Sequence, residues 1–540
     1  MTAEPLSFFT VDRGTASTAV SLIAPLDGRF RLLASATAPS GIEMEALLED
    51  LVARVVATDP GCLPGAEGWP DWARLESATR PPIAVVCAAA TERRLVDVEG
   101  AVAGSGAEIR GRFVAARGDL ITLAELCLDP DVSAVVLGSG EPSEPDERQG
   151  MAILAALVGA MAARRDDLWV LLAGGAAEWA EGFPSARRLI TPAPARVASA
   201  GDSPLRAGAL DLAAHIAEPA GAPSIPEGRA ALRTSVETLA RLLDRRVEAV
   251  DVGMGAGSRT LAHPTGVVGH MVSAEAALVP ASVMRDDREA EAILRWSALR
   301  ADPFTLTDRI RNLRLSPWRD AAGEGARLRF TVLRAALARL EAGWRLPTGD
   351  DGRVVSPAAD LLIACGGAFA ALPPPAAALA IVDTLRRPGA LAIFHDHARV
   401  LGPVGTLVDE SDRRRLLADL LDDVLLPLGS AIVAGDVRDA RHPGRLRVTS
   451  ALRRSEVELA PGGLRLLDLP PGVPARVEMD TREGTLLGTR SRHLAVDVMG
   501  GLGGLLVDTR EVPLRLPDRA ERRRALFEAW ERPVWAAAQP

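Results

Sequence analysis

Val250-Asp251-Val252-Gly253-Met254-Gly255-Ala256-Gly257-Ser258 ends an apolar run with an aspartate, then uses glycines to tighten the turn into the next strand. Near the start of the chain, Val11-Asp12-Arg13-Gly14-Thr15 repeats the pattern. Such a hairpin aims backbone N–H groups at phosphate oxygens while its carboxylate orders water around a divalent cation. One Asp-x-Gly turn is ordinary hairpin chemistry. Two at equivalent points of two half-chains carry more weight. Each opens a β-meander: Phe8 to Asp12, Ala19 to Ile23 and Phe30 to Ala36 in the first, Val247 to Val272 in the second. Pro25-Leu26-Asp27-Gly28 supplies a hairpin turn in the first.

Between the meanders the pattern changes. Ile83 to Cys87, Val132 to Gly138 and Leu168 to Ala173 are apolar strands separated by helical stretches such as Thr91 to Gly104 and Gln149 to Ala163. This alternation indicates parallel β-α-β units, an α/β class. Gly201 to Ser224 reads as a Pro/Gly/Ser connection, and Glu227 to Asp244 as a helix. Leu361 to Val382 is apolar enough to suggest a membrane span. It contains Gly366-Gly367 and Pro373-Pro374-Pro375, however, and reads as a strand, a glycine turn and a proline-started helix. From Leu426 onward short strands and turns suggest a small β domain closed by a helix, Arg519 to Trp530. The expected boundaries are 1–80, 81–200, 201–427 and 428–540.

Composition narrows the chemistry. At 540 residues and 56.8 kDa the chain exceeds one core, and its net charge of −9 argues against a surface built for nucleic acid. All 62 basic side chains are arginine; lysine and tyrosine are absent. Mechanisms that need a primary amine are therefore excluded: lysine-ended phosphate loops, the protein-kinase strand lysine and Schiff bases. Cys62, Cys87, Cys127 and Cys365 form no C-x-x-C pair, so free thiols in a reducing compartment are expected. Met1 to Asp12 lacks the basic and small-residue signals of a leader, so a cytoplasmic protein without a membrane partner is expected.

Ile363-Ala364-Cys365-Gly366-Gly367-Ala368-Phe369 adds a third element, a strand running into a double glycine where a flat ring such as adenine can lie against backbone. In this order the three motifs resemble those of the actin, sugar-kinase and heat-shock-chaperone superfamily, and within it the glutamate mutase L family (MutL, unrelated to mismatch repair). Further matches are Leu137-Gly138-Ser139-Gly140, Gly266-Val267-Val268-Gly269-His270, Asn312 through Trp318, Asp383-Thr384-Leu385 with Pro388-Gly389, Asp396 through Leu401-Gly402, and Met499-Gly500-Gly501 in the tail. The resemblance implies an actin-like (ribonuclease H-like) two-lobed fold with an inserted α/β subdomain and a C-terminal small β domain. It implies ATP or ADP with Mg²⁺ in the cleft, and a chaperone or reactivating partner of an adenosylcobalamin-dependent mutase subunit. On this reading Asp12 and Asp251 are the catalytic residues and hold Mg²⁺ through water. Gly14, Thr15, Ser17, Thr18, Gly253, Gly255, Gly257, Gly366 and Gly367 contact the nucleotide.

The chain departs from the family pattern where Ala19 replaces a lysine, Arg13 an apolar residue, Gly257 a hydroxyl residue and Ser258 an aspartate. These changes thin the phosphate hairpins and point to at most weak ATPase activity. The alternative is a non-catalytic scaffold with a degenerate cleft. A small-molecule kinase ranks third, because no general base can be placed. His395-Asp396-His397 lacks a third metal ligand, and Cys87 a histidine partner, so both read as structural. Trp318 and Trp530 read as packing residues.

Overall fold

The computed structural model describes residues 7–63, 65–116, 119–140, 145–183, 186–191, 204–217, 225–318, 322–344, 359–434, 444–459, 461–487 and 489–538. The start of the Met1 to Asp12 stretch and the ends of Gly201 to Ser224 lie outside them.

β1 (Phe8–Arg13) and β2 (Ser17–Leu26) form the first hairpin, and β3 (Arg29–Pro39) completes the meander. Asp27 and Gly28 join β2 to β3 with φ of 52° and 78°, the positive pair that a two-residue type I′ turn requires. β4 (Arg74–Ala78) returns parallel to β1, giving the order β3-β2-β1-β4. Helix Met44–Thr58 covers the sheet, its Leu48, Leu51, Val52 and Val55 packing on Phe9, Val11, Val20 and Leu22.

The insert begins at β5 (Ala84–Ala89) and continues through β6 (Glu108–Val114), β7 (Ala134–Ser139), β8 (Trp169–Gly174) and β9 (Arg187–Thr191). All pair in parallel, in the order β6-β5-β7-β8-β9, a doubly wound sheet. Within Gly201 to Ser224, where a connection was expected, Pro204–Ala217 is a helix. Its Ala209 and Leu212 are buried against the insert's core, and that contact outweighs the local turn composition.

The second half repeats the first. β10 (Val247–Val252), β11 (Gly257–His263) and β12 (Gly266–Ser273) form a meander, and β13 (Leu361–Cys365) returns parallel to β10. β14 (Gly389–Asp396) follows parallel to β13, and β15 (Leu425–Val433) antiparallel to β14. The apolar stretch from Leu361 forms a strand, a turn at Gly366 (φ 87°) and helix Pro374–Thr384, as its glycines and prolines indicated. No helix among the described residues is long and apolar enough to cross a membrane.

The C-terminal strands are β16 (Gly444–Ser450), β17 (Arg454–Leu459), β18 (Leu464–Leu467), β19 (Pro474–Leu487), β20 (Thr489–Met499) and β21 (Leu505–Asp508). Four of them make a separate sheet, β17-β16-β19-β20, while β21 and β18 extend the second half's sheet beyond β15. Buried charges fasten this region to the lobe. Arg510 bridges Asp383 (2.7 Å) and Asp508 (2.6 Å), Arg334 bridges Asp383 (2.5 Å) and Glu531 (2.6 Å), and Arg386 bonds Asp508. Three arginines thus meet three carboxylates, a balance that buried charge demands. Glu531 comes from the closing helix Ala520–Ala537.

Two units, each a three-stranded meander, a helical connection and a parallel return strand beside the first strand, constitute the actin-like, ribonuclease H-like two-lobed α/β fold; in the second the connection holds the helices Asp287–Leu294, Pro303–Leu315 and Glu324–Gly343. The insert follows β4, and the C-terminal region follows β15.

Candidate functional site

Register makes the two hairpins equivalent. Asp12 faces Ala19 on β2 and Ser77 on β4; Asp251 faces Ser258 on β11 and Cys365 on β13. Each aspartate is therefore the penultimate residue of a central strand, and both look into one cleft between the lobes. Gly14, Thr15, Ser17, Gly253, Gly255, Gly366 and Gly367 line this cleft with them. Its cavity of about 140 Å³ has room for several waters, so the lobes are not packed shut. Thr18 and Gly257 are not among the lining residues. Thr18 follows Ser17 on a strand whose side chains alternate in direction. A Cβ on Gly257 would point 2.6 Å from the carbonyl oxygen of Ala276.

Glycine is required at Gly366 by its positive φ and by space, since a Cβ there would press on the Asp251 carboxylate and lie 2.6 Å from the Val252 carbonyl oxygen. The third motif thus folds directly over the second hairpin. At Gly255 a Cβ would come 2.8 Å from Thr15 Oγ1, so the two hairpin tips face each other closely.

The stretch Asp396 through Leu401-Gly402 matches the family's adenosine region in sequence, but the role of Arg399 within it was not evident there. Its Nε donates to Asp12 Oδ2 at 2.6 Å, its Nη2 approaches the same oxygen at 2.5 Å, and its Nη1 donates to Ser17 Oγ at 2.7 Å. Nη2 also reaches the carbonyl oxygens of Asp12 and Ser17, each at 3.3 Å. Ser77 Oγ donates to the other carboxylate oxygen, Asp12 Oδ1, at 3.1 Å. Arg13 and Arg259, the basic residues nearest the hairpins in sequence, are committed elsewhere. Arg13 pairs with Glu76 on β4 (2.8 Å), and Arg259 is buried between Glu248 and Glu341 with Trp344 stacked 4.5 Å away.

Arg399 is held by a formed loop. Its backbone is left-handed (φ 55°), uncommon for a residue other than glycine, and the Asp396 carboxylate accepts from the N–H groups of Val400 (3.0 Å) and Leu401 (3.1 Å). Burial, with the nearby Asp12 charge, still pushes Asp396 up to about 7 despite those bonds. Asp251 is pushed up to about 6 by loss of surrounding water and by Asp12, with Arg229 and Arg399 offsetting part of the effect.

A hydrated Mg²⁺ held by Asp12 needs carboxylate lone pairs that accept from its waters. At Asp12 two guanidinium nitrogens cover Oδ2 and neutralise the carboxylate, and Ser77 donates to Oδ1, which keeps one lone pair; the positive charge of Arg399 beside it is what fits a cation poorly there. No group of three or more His, Cys, Asp or Glu among the described residues is arranged to hold a metal directly. His397 Nε2 lies 3.0 Å from the Asp423 carbonyl oxygen, and burial lowers the His395 imidazole to about 4. Burial pushes the Cys87 thiol up, in keeping with a packing role. Trp318 departs from the packing expectation: it is 50% exposed and lines the cleft, because the Asn312 to Trp318 segment runs past the hairpin tips. Trp530 packs on Phe527 as expected.

No family model matches the chain, and no curated protein matches it. Solved structures similar to it include component A of (R)-2-hydroxyglutaryl-CoA dehydratase from Acidaminococcus fermentans, at 7% identity and TM-score 0.26, covering 76% of this chain and 99% of that one. Nucleotide-free acetone carboxylase, from work on ATP-dependent acetone carboxylation, gives 12% identity and TM-score 0.29 over 84% of this chain and 81% of that one. The PilM-PilN complex of type IV pilus biogenesis gives 14% and 0.25 over 76% and 97%. Scores this low place no individual residue; strand order and register carry the fold.

Proposed function

We propose that this chain binds an adenine nucleotide between its lobes and uses nucleotide state to set the angle between the first lobe (1–80) and the second (201–427), acting on a partner protein. The observation that carries this reading is the convergence of both strand-end aspartate hairpins and the Gly366-Gly367 turn on one cleft. The turn backbones of Thr15 and Gly255 and the hydroxyls of Thr15 and Ser17 would face the phosphates, Gly366-Gly367 the base, and Asp12 and Asp251 the polar floor; Gly14 and Gly253 line the cleft while their N–H groups close the hairpins on the Ser17 and Ala256 carbonyl oxygens. Turnover would be weak, since the first aspartate is already paired with an arginine. The motif resemblance to glutamate mutase L supports an adenosylcobalamin-dependent mutase subunit as the partner; the cobalamin would belong to that subunit.

A second reading, a scaffold with a silent cleft, is favoured by the same Arg399–Asp12 pair. Thermal unfolding of the full chain with ATP separates the two. Ligand at about a hundred times its Kd stabilises by about 2.7 kcal/mol and raises Tm by several degrees. The rise should disappear in Asp251→Ala. No rise at millimolar ATP, with or without Mg²⁺, leaves the scaffold.

A further inference from the structure

We propose that Arg399 takes the place of the divalent cation at the first hairpin, so that the cleft holds its ligand's phosphates without a metal at Asp12. This rests on the nucleotide-binding reading and deepens it. The charge at this hairpin must come from elsewhere in the chain, because the hairpin's own basic residue, Arg13, is turned to Glu76. Arg399 meets the requirement geometrically. Two of its nitrogens lie on Asp12 Oδ2 and a third on Ser17 Oγ, so the guanidinium sits where an aspartate-bound cation would stand, at the cleft wall. Nε, Nη2 and one N–H of Nη1 are spent on Asp12 and Ser17, and the remaining Nη1 N–H is left to recognise a phosphate oxygen directly, whereas a hydrated metal does so through water.

Two further features show the place to be built for an arginine. Gly14 has no positive φ, so backbone conformation does not explain it. A Cβ there would lie 2.7 Å from Arg399 Nη2 and 2.9 Å from the Ser17 carbonyl oxygen, so the glycine makes room for the guanidinium. The left-handed backbone of Arg399 is strained for a residue other than glycine and persists because Asp396 fixes the next two N–H groups. Strain of this kind is retained where it aims a side chain.

The test uses the full-length chain in two arms. In the first, Mn²⁺ binding without nucleotide is followed by electron paramagnetic resonance. Wild type should show no Mn²⁺ site that depends on Asp12. Arg399→Ala should gain one, and Arg399→Ala with Asp12→Asn should lose it again. Arg399→Gln replaces Arg399→Ala if the latter does not fold, as judged by its circular-dichroism melt. In the second arm, ATP affinity is measured in EDTA and in Mg²⁺. Wild type should differ by less than about threefold between the two, while Arg399→Gln should bind at least about tenfold more weakly in EDTA and recover with Mg²⁺. A wild-type Mn²⁺ site abolished by Asp12→Asn, no gain in the Arg399 variants, or wild-type ATP binding that requires Mg²⁺ overturns the proposal. If ATP binds no variant under either condition, the nucleotide reading fails, and the Mn²⁺ arm alone decides the role of Arg399.

Discussion

The two hairpins begin from the same register and end in different electrostatic states. On β1, Asp12 is ion-paired to a guanidinium delivered from the loop after β14, 387 residues away in sequence, and also accepts from Ser77. On β10, Asp251 has no arginine bonded to it among the described residues; it lies against the Gly366 turn and is pushed up to about 6. Duplicated backbone therefore does not guarantee duplicated chemistry. The side chains that finish each hairpin come from outside it.

The glycines offer the sharpest way to break this comparison. Gly366→Ala combines a positive φ with backbone obstruction, and should destabilise the chain by about 3 kcal/mol or more in a denaturant titration. A cost under about 1 kcal/mol would show that the third motif does not press on the second hairpin. Next in size is a pH effect at the loop that carries Arg399. Asp396 has a folded pKa raised to about 7, so the native state holds its proton more tightly than the unfolded chain. Its contribution is fully present below about pH 4 and is lost as pH rises towards 7, by at most about 1.4 kcal/mol per unit. Asp396→Asn should flatten urea midpoints measured across that interval; an unchanged slope would contradict the burial argument.

Gly14→Ala should cost about 1 kcal/mol, less than Gly366→Ala, because its obstruction includes the end of a movable side chain. In an Arg399→Ala background the part of that cost due to the guanidinium should vanish while the Ser17 carbonyl part remains, a coupling that a double-mutant cycle reads directly. Equal costs in both backgrounds would mean that Gly14 answers to Ser17 alone. Gly253→Ala should be nearly silent, within about 0.5 kcal/mol, since the nearest atom to its Cβ position is 3.6 Å away. A large loss there would show that the second hairpin is tighter than its geometry.

The sequence made the skeleton of the site readable because local rules set it. Strand-end aspartates, turn glycines and the Asp27-Gly28 hairpin turn are fixed by short-range sterics and alternation, and all appear where the residues placed them. The stretch Asp396 through Leu401-Gly402 was legible as a family match, but the pairing of its Arg399 with Asp12 was not. Basic residues near Asp12 in sequence were the natural candidates, yet a site between two lobes draws side chains from anywhere in the chain. The only local sign was Gly14, whose need for space is invisible without the arginine. The helix within Gly201 to Ser224 was hidden for a similar reason, its stability coming from the insert's core. From Leu426 onward the strands were readable, but their division between two sheets was not. β15 joins the central sheet antiparallel to β14, and β21 joins it parallel to β15 beside the Arg386–Asp508–Arg510 contacts, none of which leaves a periodic trace.

The central claim is that both hairpins serve one nucleotide. Hydrogen–deuterium exchange of the full chain with and without saturating ATP tests it most directly. Slowed exchange in both turns, residues 13–18 and 252–257, is the predicted result. Unchanged exchange in both, or protection of one turn alone, would contradict it.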